Sequence, residues 1–279
     1  MREKLKSCGY HVVMMALALL WLIPLLWTLV ISLSSNSSLK TNSQILMPTE
    51  PTLSNYADVF RTGLAGRWFL NSMIVSITAT VITVIICAAA GYAFAKLPFP
   101  GRSFLFGLLM VTMMIPMQVN LVPLYRMMVW LHDWVPFLGL DTLSGIIAPG
   151  AVQVFGIFLM RQFFASIPDS ILEAARLDGA SEFQILRRIV LPLAAPGIAT
   201  LTVFTFLGAW NDFLWPLIVL NNPNQLTLQV VLSQLQTAHG TDYGMVMMGA
   251  FIAVAPLLLI FAVGSRQFLS GLTEGAVKM

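Results

Sequence analysis

The sequence predicts an all-α polytopic membrane protein with six transmembrane helices. Of its 279 residues, 58% are hydrophobic and 10% are charged, and the mean hydropathy is +0.84. A soluble domain carries about 25% charged residues, so a water-soluble globular chain and a disordered one are both excluded. The charges are also gathered, leaving seven long uncharged runs at 7–39, 68–95, 103–125, 142–160, 189–211, 213–241 and 243–265. A helix needs about 20 apolar residues to cross a bilayer core about 30 Å thick. Only Asp212 separates the runs 189–211 and 213–241, and the second holds the turn-rich Asn221-Asn222-Pro223-Asn224-Gln225. Those two runs therefore read as one span and an external loop. The expected spans are about 11–33, 69–94, 103–125, 143–164, 196–220 and 244–265, within a single domain over 1–279.

The third observation is the distribution of cations. Eleven of the fifteen Lys and Arg residues fall on the N-terminal side of the expected membrane, and Lys40, Arg61, Arg67 and Arg126 fall on the other. Cytoplasmic loops carry the excess of Lys and Arg, so both termini are expected in the cytoplasm, as an even number of spans also requires. The first span has a basic start but runs on from Val12 to Leu33, longer than the roughly 7–15 residues of a signal-peptide core. With no A-x-A site after it, an uncleaved anchor is expected.

Between the first two spans, residues 34–67 contain a Ser/Asn tract with Pro48 and Pro51, which is loop chemistry. The turn Lys96-Leu97-Pro98-Phe99-Pro100-Gly101-Arg102 ends the second span with two prolines and holds the inner surface with two cations. The third span carries Pro116, Gln118, Asn120 and Pro123. Polar groups at membrane depth face protein or a water-filled path, so Pro116, Gln118 and Asn120 are candidates for a translocation path. A proline-kinked helix with interhelical hydrogen bonds accounts for them equally. The methionines Met110, Met113, Met114 and Met117 suit flexible packing. Asn211 and Asp212 are further path candidates, because an ionisable residue within a span is a functional candidate by default. The flanking Trp210 and Trp215 also suit a membrane-surface setting for this acid.

Residues 165–192 form the longest internal loop and the most informative one. They hold four acids, Asp169, Glu173, Asp178 and Glu182, with Arg176, Arg187 and Arg188. Two short helices are expected. The first would take Ser166 as N-cap, with Pro168 in its first turn and Asp169 favourable to the helix dipole. Gly179 would end it in a left-handed conformation. Ser181 and Gln184 would open the second with a capping box, and Pro192 would close it. Ala174 and Ala175 leave room for close approach of another surface. Phe183, Ile185, Leu186 and Ile189 supply apolar area that a partner or the spans must cover.

Glu173-Ala174-Ala175, Gly179, Ile189 and Leu191-Pro192 fill every fixed position of the pattern EAA-x3-G-x9-I-x-LP. The chain thereby resembles the permease subunits of bacterial ATP-binding-cassette (ABC) importers, in which this loop forms coupling helices that dock on an ATPase subunit. The segments 52–56, 71–72, 91–95, 155–164, 210–216 and 271–278 look like those of the maltose-type carbohydrate permeases. The resemblance implies ATPase coupling through Glu173, Ala174, Ala175, Asp178, Gly179, Ile189, Leu191 and Pro192. It also implies a second permease subunit, two ATPase subunits binding ATP and Mg, and an extracytoplasmic solute-binding protein, all in a bacterial inner membrane. The solute expected is a carbohydrate, with a phosphorylated polyol, a peptide or an amino acid as alternatives.

No cofactor, metal or nucleic acid is expected on this chain; its surroundings are membrane lipid. It has no G-x-x-x-x-G-K-[ST] loop for phosphates, no nucleophile–base pattern, and no clustered His or Cys. Cys8 and Cys87 sit too far apart to pair, and His11, His132 and His239 stand alone. A transporter driven by an ion gradient would carry buried acids or histidines in a relay, and only Asp212 qualifies.

Overall fold

The computed structural model describes residues 2–35, 39, 51–61, 64–238 and 243–276; of 2–9, 64–65, 236–238 and 263–276 it describes the backbone only. Among the described residues every regular element is a helix, and the strand-like pairing is one isolated bridge between Ser34 and Pro51. The helices are α1 (Arg2–Ser32), α2 (Ser54–Arg61), α3 (Leu64–Lys96), α4 (Arg102–Thr112), α5 (Met117–Trp134), α6 (Leu143–Gly150) and α7 (Val154–Ala165). They continue with α8 (Asp169–Leu177), α9 (Glu182–Leu193), α10 (Ala195–Trp210), α11 (Leu214–Val219), α12 (Leu228–Ala238) and α13 (Tyr243–Ala276).

Segments of α1, α3 and α13 are each long and apolar enough to cross a membrane, at Tyr10–Ser32, Gly66–Lys96 and Tyr243–Ala262. Bent pairs of helices bring the total to as many as six spans. The third expected span, 103–125, is not one kinked helix. It is α4 and α5 meeting at 97°. Proline disfavours the helical region for the residue before it; α4 ends at Thr112, and Pro116 caps the start of α5 from an extended conformation. Pro123, by contrast, sits inside α5 without ending it. The fourth expected span, 143–164, is α6 and α7 bent by 49°, just after Pro149 and Gly150. Two carbonyls near this bend accept from α3 side chains: Gly150 O from Thr83 Oγ1 at 3.4 Å and Gln153 O from Cys87 Sγ at 3.3 Å. Irregular backbone at membrane depth persists only where protein or a water-filled cavity satisfies it. The fifth expected span, 196–220, is interrupted at Asn211–Phe213, so α10 and α11 replace a continuous helix.

The chain divides into two compact units. One comprises Met1–Arg67 and Leu228–Pro256. Most side chains of α1 from Tyr10 to Leu26 are exposed in it. The C-terminal end of α1 is joined to α2 by Asn55, whose Nδ2 donates to Ser32 O at 2.8 Å and Ser34 O at 3.0 Å, while the Ser32 and Tyr56 hydroxyls share a 2.8 Å bond. A helix therefore stands at 54–61 where a loop was expected, anchored by a buried amide. The Ser/Asn tract beyond Ser35 and Pro48 lies outside the described residues, as does His239. At Gly244 a Cβ would lie 2.6 Å from Asn55 Nδ2, and at Gly249 it would lie 2.1 Å from Leu232 Cδ2. Both glycines bring α13 close to its neighbours.

The other unit comprises Trp68–Thr227 and Leu257–Met279. Its core joins Cys87, Ala88 and Tyr92 of α3 to Ile157, Met160 and Phe164 of α7 and Leu201 of α10. The same core continues through Ile167, Leu172, Ile185, Val190 and Ala194. Helices in lipid gain little from a hydrophobic driving force between them, so small residues that permit close packing matter most. A Cβ at Gly91 would lie 2.7 Å from Met160 Cβ, and one at Gly156 would lie 2.7 Å from Cys87 Sγ. These two glycines interlock α3 with α7.

Candidate functional site

The segment 165–192 folds as the expected hairpin of two helices, with three local differences. Ser166 does not cap α8; it is the C-cap of α7, and its hydroxyl donates to Phe163 O at 2.7 Å. Pro168 is the N-cap of α8 rather than a residue of its first turn, with φ −60° and ψ 133°. The short Ser166-Ile167 link is used up in ending α7, because Ile167 N–H still bonds to Phe164 O. Pro192 does not close α9. A π turn at Leu186–Val190 comes first, and the helix continues through Pro192 to Leu193. A widened turn is where a helix absorbs an irregularity in its ladder, here next to a residue lacking an N–H.

The rest of the hairpin follows the local chemistry expected of it. Gly179 has φ +81° and follows the C-cap Asp178. Gly179 N–H bonds to Arg176 O and Ala180 N–H to Ala175 O, each at 3.0 Å. This is the paired 5→2 and 6→1 pattern that satisfies the last carbonyls of a helix. Ser181 then starts α9 with both bonds of a capping box to Gln184, at 2.8 Å and 3.4 Å. Three residues thus reverse the chain and start the next helix.

The two helices present one face to the membrane-embedded core and another outward. Leu172, Ile185 and Val190 are buried, and Ile189 and Leu191 are half-buried. Ala175 is half-buried against the core, so the expected flat alanine patch is reduced to Ala174, which is exposed. Glu173, Asp178, Gly179 and Pro192 are exposed. Beside them stand Leu177 and Phe183, 90% and 69% exposed. The outward face therefore combines apolar side chains with carboxylates and no bulk at Ala174 or Gly179.

Polar contacts hold the hairpin to the end of α3. Lys96 Nζ, whose side chain is 5% exposed, donates to Ile167 O and to Asp169 Oδ1, both at 2.6 Å. The Tyr92 hydroxyl donates to Glu182 Oε2. Arg176 Nε donates to Glu182 Oε1 at 2.7 Å, linking α8 to α9. The Lys96 hydrogen bond, more than its charge, holds the Asp169 carboxyl below its ordinary value of 3.8. The Arg176 hydrogen bond likewise lowers Glu182 from 4.5; burial opposes this, and the Tyr92 bond adds to it. Arg176 is raised in turn by its bond to Glu182. Sequence reasoning placed Lys96 only in an interfacial turn and assigned Tyr92 no role. The available signal was a lone cation at the end of an apolar run, with an acid-rich loop to meet it.

The path candidates are not gathered in the same way. Pro116, Gln118 and Asn120 are exposed at the α4–α5 bend. Asn211 is the C-cap of α10, and its Nδ2 bonds back to Leu207 O at 2.9 Å. Asp212 is half-buried at the break between α10 and α11. Among the described residues no group of three or more His, Cys, Asp or Glu is placed to hold a metal ion.

An ordered loop lies in the same unit. Asp141, with φ 55°, accepts the N–H groups of Asn221 and Asn222 at Oδ1, at 2.5 Å and 2.8 Å. Asn71 Nδ2 donates to Asn224 O and Leu226 O, each at 3.0 Å, and Trp68 Nε1 to Pro223 O at 3.0 Å.

Comparison with known proteins agrees over nearly the full length. The chain is 36% identical over 273 residues to an arabinooligosaccharides transport system permease protein of Bacillus subtilis (strain 168), covering 95% of this chain and 93% of that one. It is 37% identical over 237 residues to an alpha-glucoside transport system permease protein of Rhizobium meliloti (strain 1021), covering 83% and 61%. Among solved structures it is similar to a chain of a bacterial ABC transporter involved in import of the acidic polysaccharide alginate. That likeness has a TM-score of 0.81 at 25% identity and covers 95% of this chain and 97% of the other. The model of the binding-protein-dependent transport system inner membrane component matches residues 84–268, which include the whole hairpin and the α3 end that holds it. By that match and by its full-length relatives, the chain belongs to the family of inner membrane components of binding-protein-dependent transport systems.

Proposed function

We propose that this chain is the permease subunit of an ABC importer that carries a carbohydrate inward across the bacterial inner membrane. The observation that carries this reading is the hairpin α8–α9. It holds its buried face against the spans and turns Glu173, Ala174, Gly179, Leu177 and Phe183 outward. In this reading both termini are cytoplasmic and the hairpin lies beneath the membrane. A second permease subunit completes the pathway, two ATPase subunits supply ATP hydrolysis with Mg, and an extracytoplasmic binding protein delivers the solute. Closure of the ATPases displaces the hairpin, and rigid-body movement of the spans exchanges outward for inward access. The ATPases drive this exchange by binding one arrangement better than the other. Glu173, Ala174, Ala175, Asp178, Gly179, Ile189, Leu191 and Pro192 form or shape the docking hairpin. Replacing Glu173 by Lys reverses the charge at an exposed position. The expected outcome for Glu173→Lys is loss of ATP-dependent uptake at wild-type levels of inserted protein; uptake at the wild-type rate refutes the coupling role.

Relatives named for arabinooligosaccharides, alpha-glucosides and diacetylchitobiose favour a sugar. A relative named for sn-glycerol-3-phosphate, 30% identical over 273 residues, supports a phosphorylated polyol as the second reading. Isolation of the complex in mild detergent, with the co-purifying binding protein screened against both classes, separates them. ATP depletion distinguishes either from transport driven by an ion gradient.

A further inference from the structure

We propose that the last two turns of α3 are a second coupling element, in which Lys96 and Tyr92 deliver movement of the hairpin to a span that does not adjoin it in sequence. This rests on the permease reading above. The hairpin is covalently continuous with α7 on one side and α10 on the other, so these two helices must follow it. Helix α3 has no such obligation. Lys96 nevertheless gives two short hydrogen bonds to the entry of the hairpin, one to Ile167 O and one to Asp169 Oδ1. Tyr92, one turn earlier, reaches Glu182 at the start of the second helix, and Arg176 ties that carboxylate back to the first. Both helices are thus fastened to one face of α3. The attachments are charge-assisted at Lys96 and Glu182, which makes them short and strong. The Lys96 side chain is 5% exposed, so water offers its ammonium little substitute if the contact breaks. Behind them, Gly91 sits so close to Met160 that α3 and α7 cannot slide past one another freely. A hairpin fastened in this way moves three spans as a body. One released from Lys96 and Tyr92 reaches α3 only through its packing on α7, so less of the hairpin's movement arrives at the third span.

Lys96 and Tyr92 are positioning residues, so the test reads coupling rather than activity. The complete transporter, with its second permease, ATPases and binding protein, is reconstituted in liposomes. It is given radiolabelled arabinotriose, maltose and diacetylchitobiose together, and sugar accumulated per ATP hydrolysed is measured. Lys96→Met is expected to assemble and hydrolyse ATP while this ratio falls by about fivefold or more, the low end of the usual range for coupling between sites. Lys96→Arg, which keeps the charge and the donors, is expected to restore the ratio. A purely structural role lowers uptake and hydrolysis together and leaves the ratio unchanged, which overturns the proposal. If Lys96→Met fails to assemble, Tyr92→Phe combined with Asp169→Ala removes tethers to both helices while keeping the Tyr92 ring in its packing. A reduced ratio then supports the proposal and an unchanged one refutes it. Should the wild-type complex accumulate none of the three sugars on ATP, the sugar-permease reading falls and the proposal falls with it. Should the wild type accumulate them while Lys96→Met keeps its ratio, only the proposal falls.

Discussion

Gly179 shows how a single residue sets the geometry of the hairpin. Its φ of +81° lies in the left-handed region, and nothing lies within 4 Å of where a Cβ would stand. A substitution there meets backbone strain and no collision. Gly179→Ala is therefore expected to destabilise the hairpin by about 1–2 kcal/mol, while Gly179→Asn, which tolerates this conformation better, costs less. Amide exchange of residues 169–190 in the detergent-solubilised protein measures the difference. The carboxylates of Asp169 and Glu182 add a dependence on pH. Both titrate below their ordinary values of 3.8 and 4.5 in the fold. The unfolded chain thus takes up protons first as pH falls, and their stabilisation is fully present above those ordinary values. It declines as pH drops toward the lowered folded values. Hairpin protection is expected to stay level from pH 7 to about 5 and to fall below about 4.5. A loss beginning near pH 6 contradicts this assignment.

Among the elements, α3 and α7 depend on a close approach that involves the backbone of α7. A Cβ at Gly91 would stand 2.7 Å from Met160 Cβ and 3.0 Å from Arg161 N. Neither atom belongs to a flexible side-chain end, so the helices themselves must part. Gly91→Ala is expected to destabilise the unit by about 1–3 kcal/mol, read as a lower midpoint of thermal unfolding in detergent. Met160→Ala is not expected to rescue it, because alanine retains the colliding Cβ. Elements are also where the sequence was least informative. Pro116 read as a kink, yet the chain bends by 97° near it, and a further bend of 49° follows Pro149, a residue that drew no reading. Pro123 lies inside a helix that continues past it, and Pro192 stands one residue before the end of its helix. A missing N–H and a bulky ring are local facts. Whether a helix then breaks depends on whether neighbouring side chains, such as Thr83 and Cys87, satisfy the freed carbonyls.

Across the whole molecule, both ends of the Trp68–Thr227 segment are ordered by polar contacts far apart in sequence. At one, Asp141 holds the Asn221-Asn222 backbone, and Trp68 and Asn71 hold residues 223–226. Asp141→Ala removes the acceptor and leaves an alanine at φ 55°. It is expected to loosen this loop by about 1–3 kcal/mol and to raise protease cleavage at 221–225, with Asp141→Asn intermediate. At the other end stands the hairpin. Its reversal at Gly179 and its capping box were legible residue by residue, because caps and turns are decided within a few bonds of themselves. So were the number of spans and the class of protein, since crossing a bilayer requires length and apolarity wherever a segment sits. The fastening of the hairpin to Tyr92 and Lys96, the half-buried setting of Asp212, and the difference between a kink and a break were not legible. Each of these is settled by which atoms lie opposite once helices distant in sequence have packed.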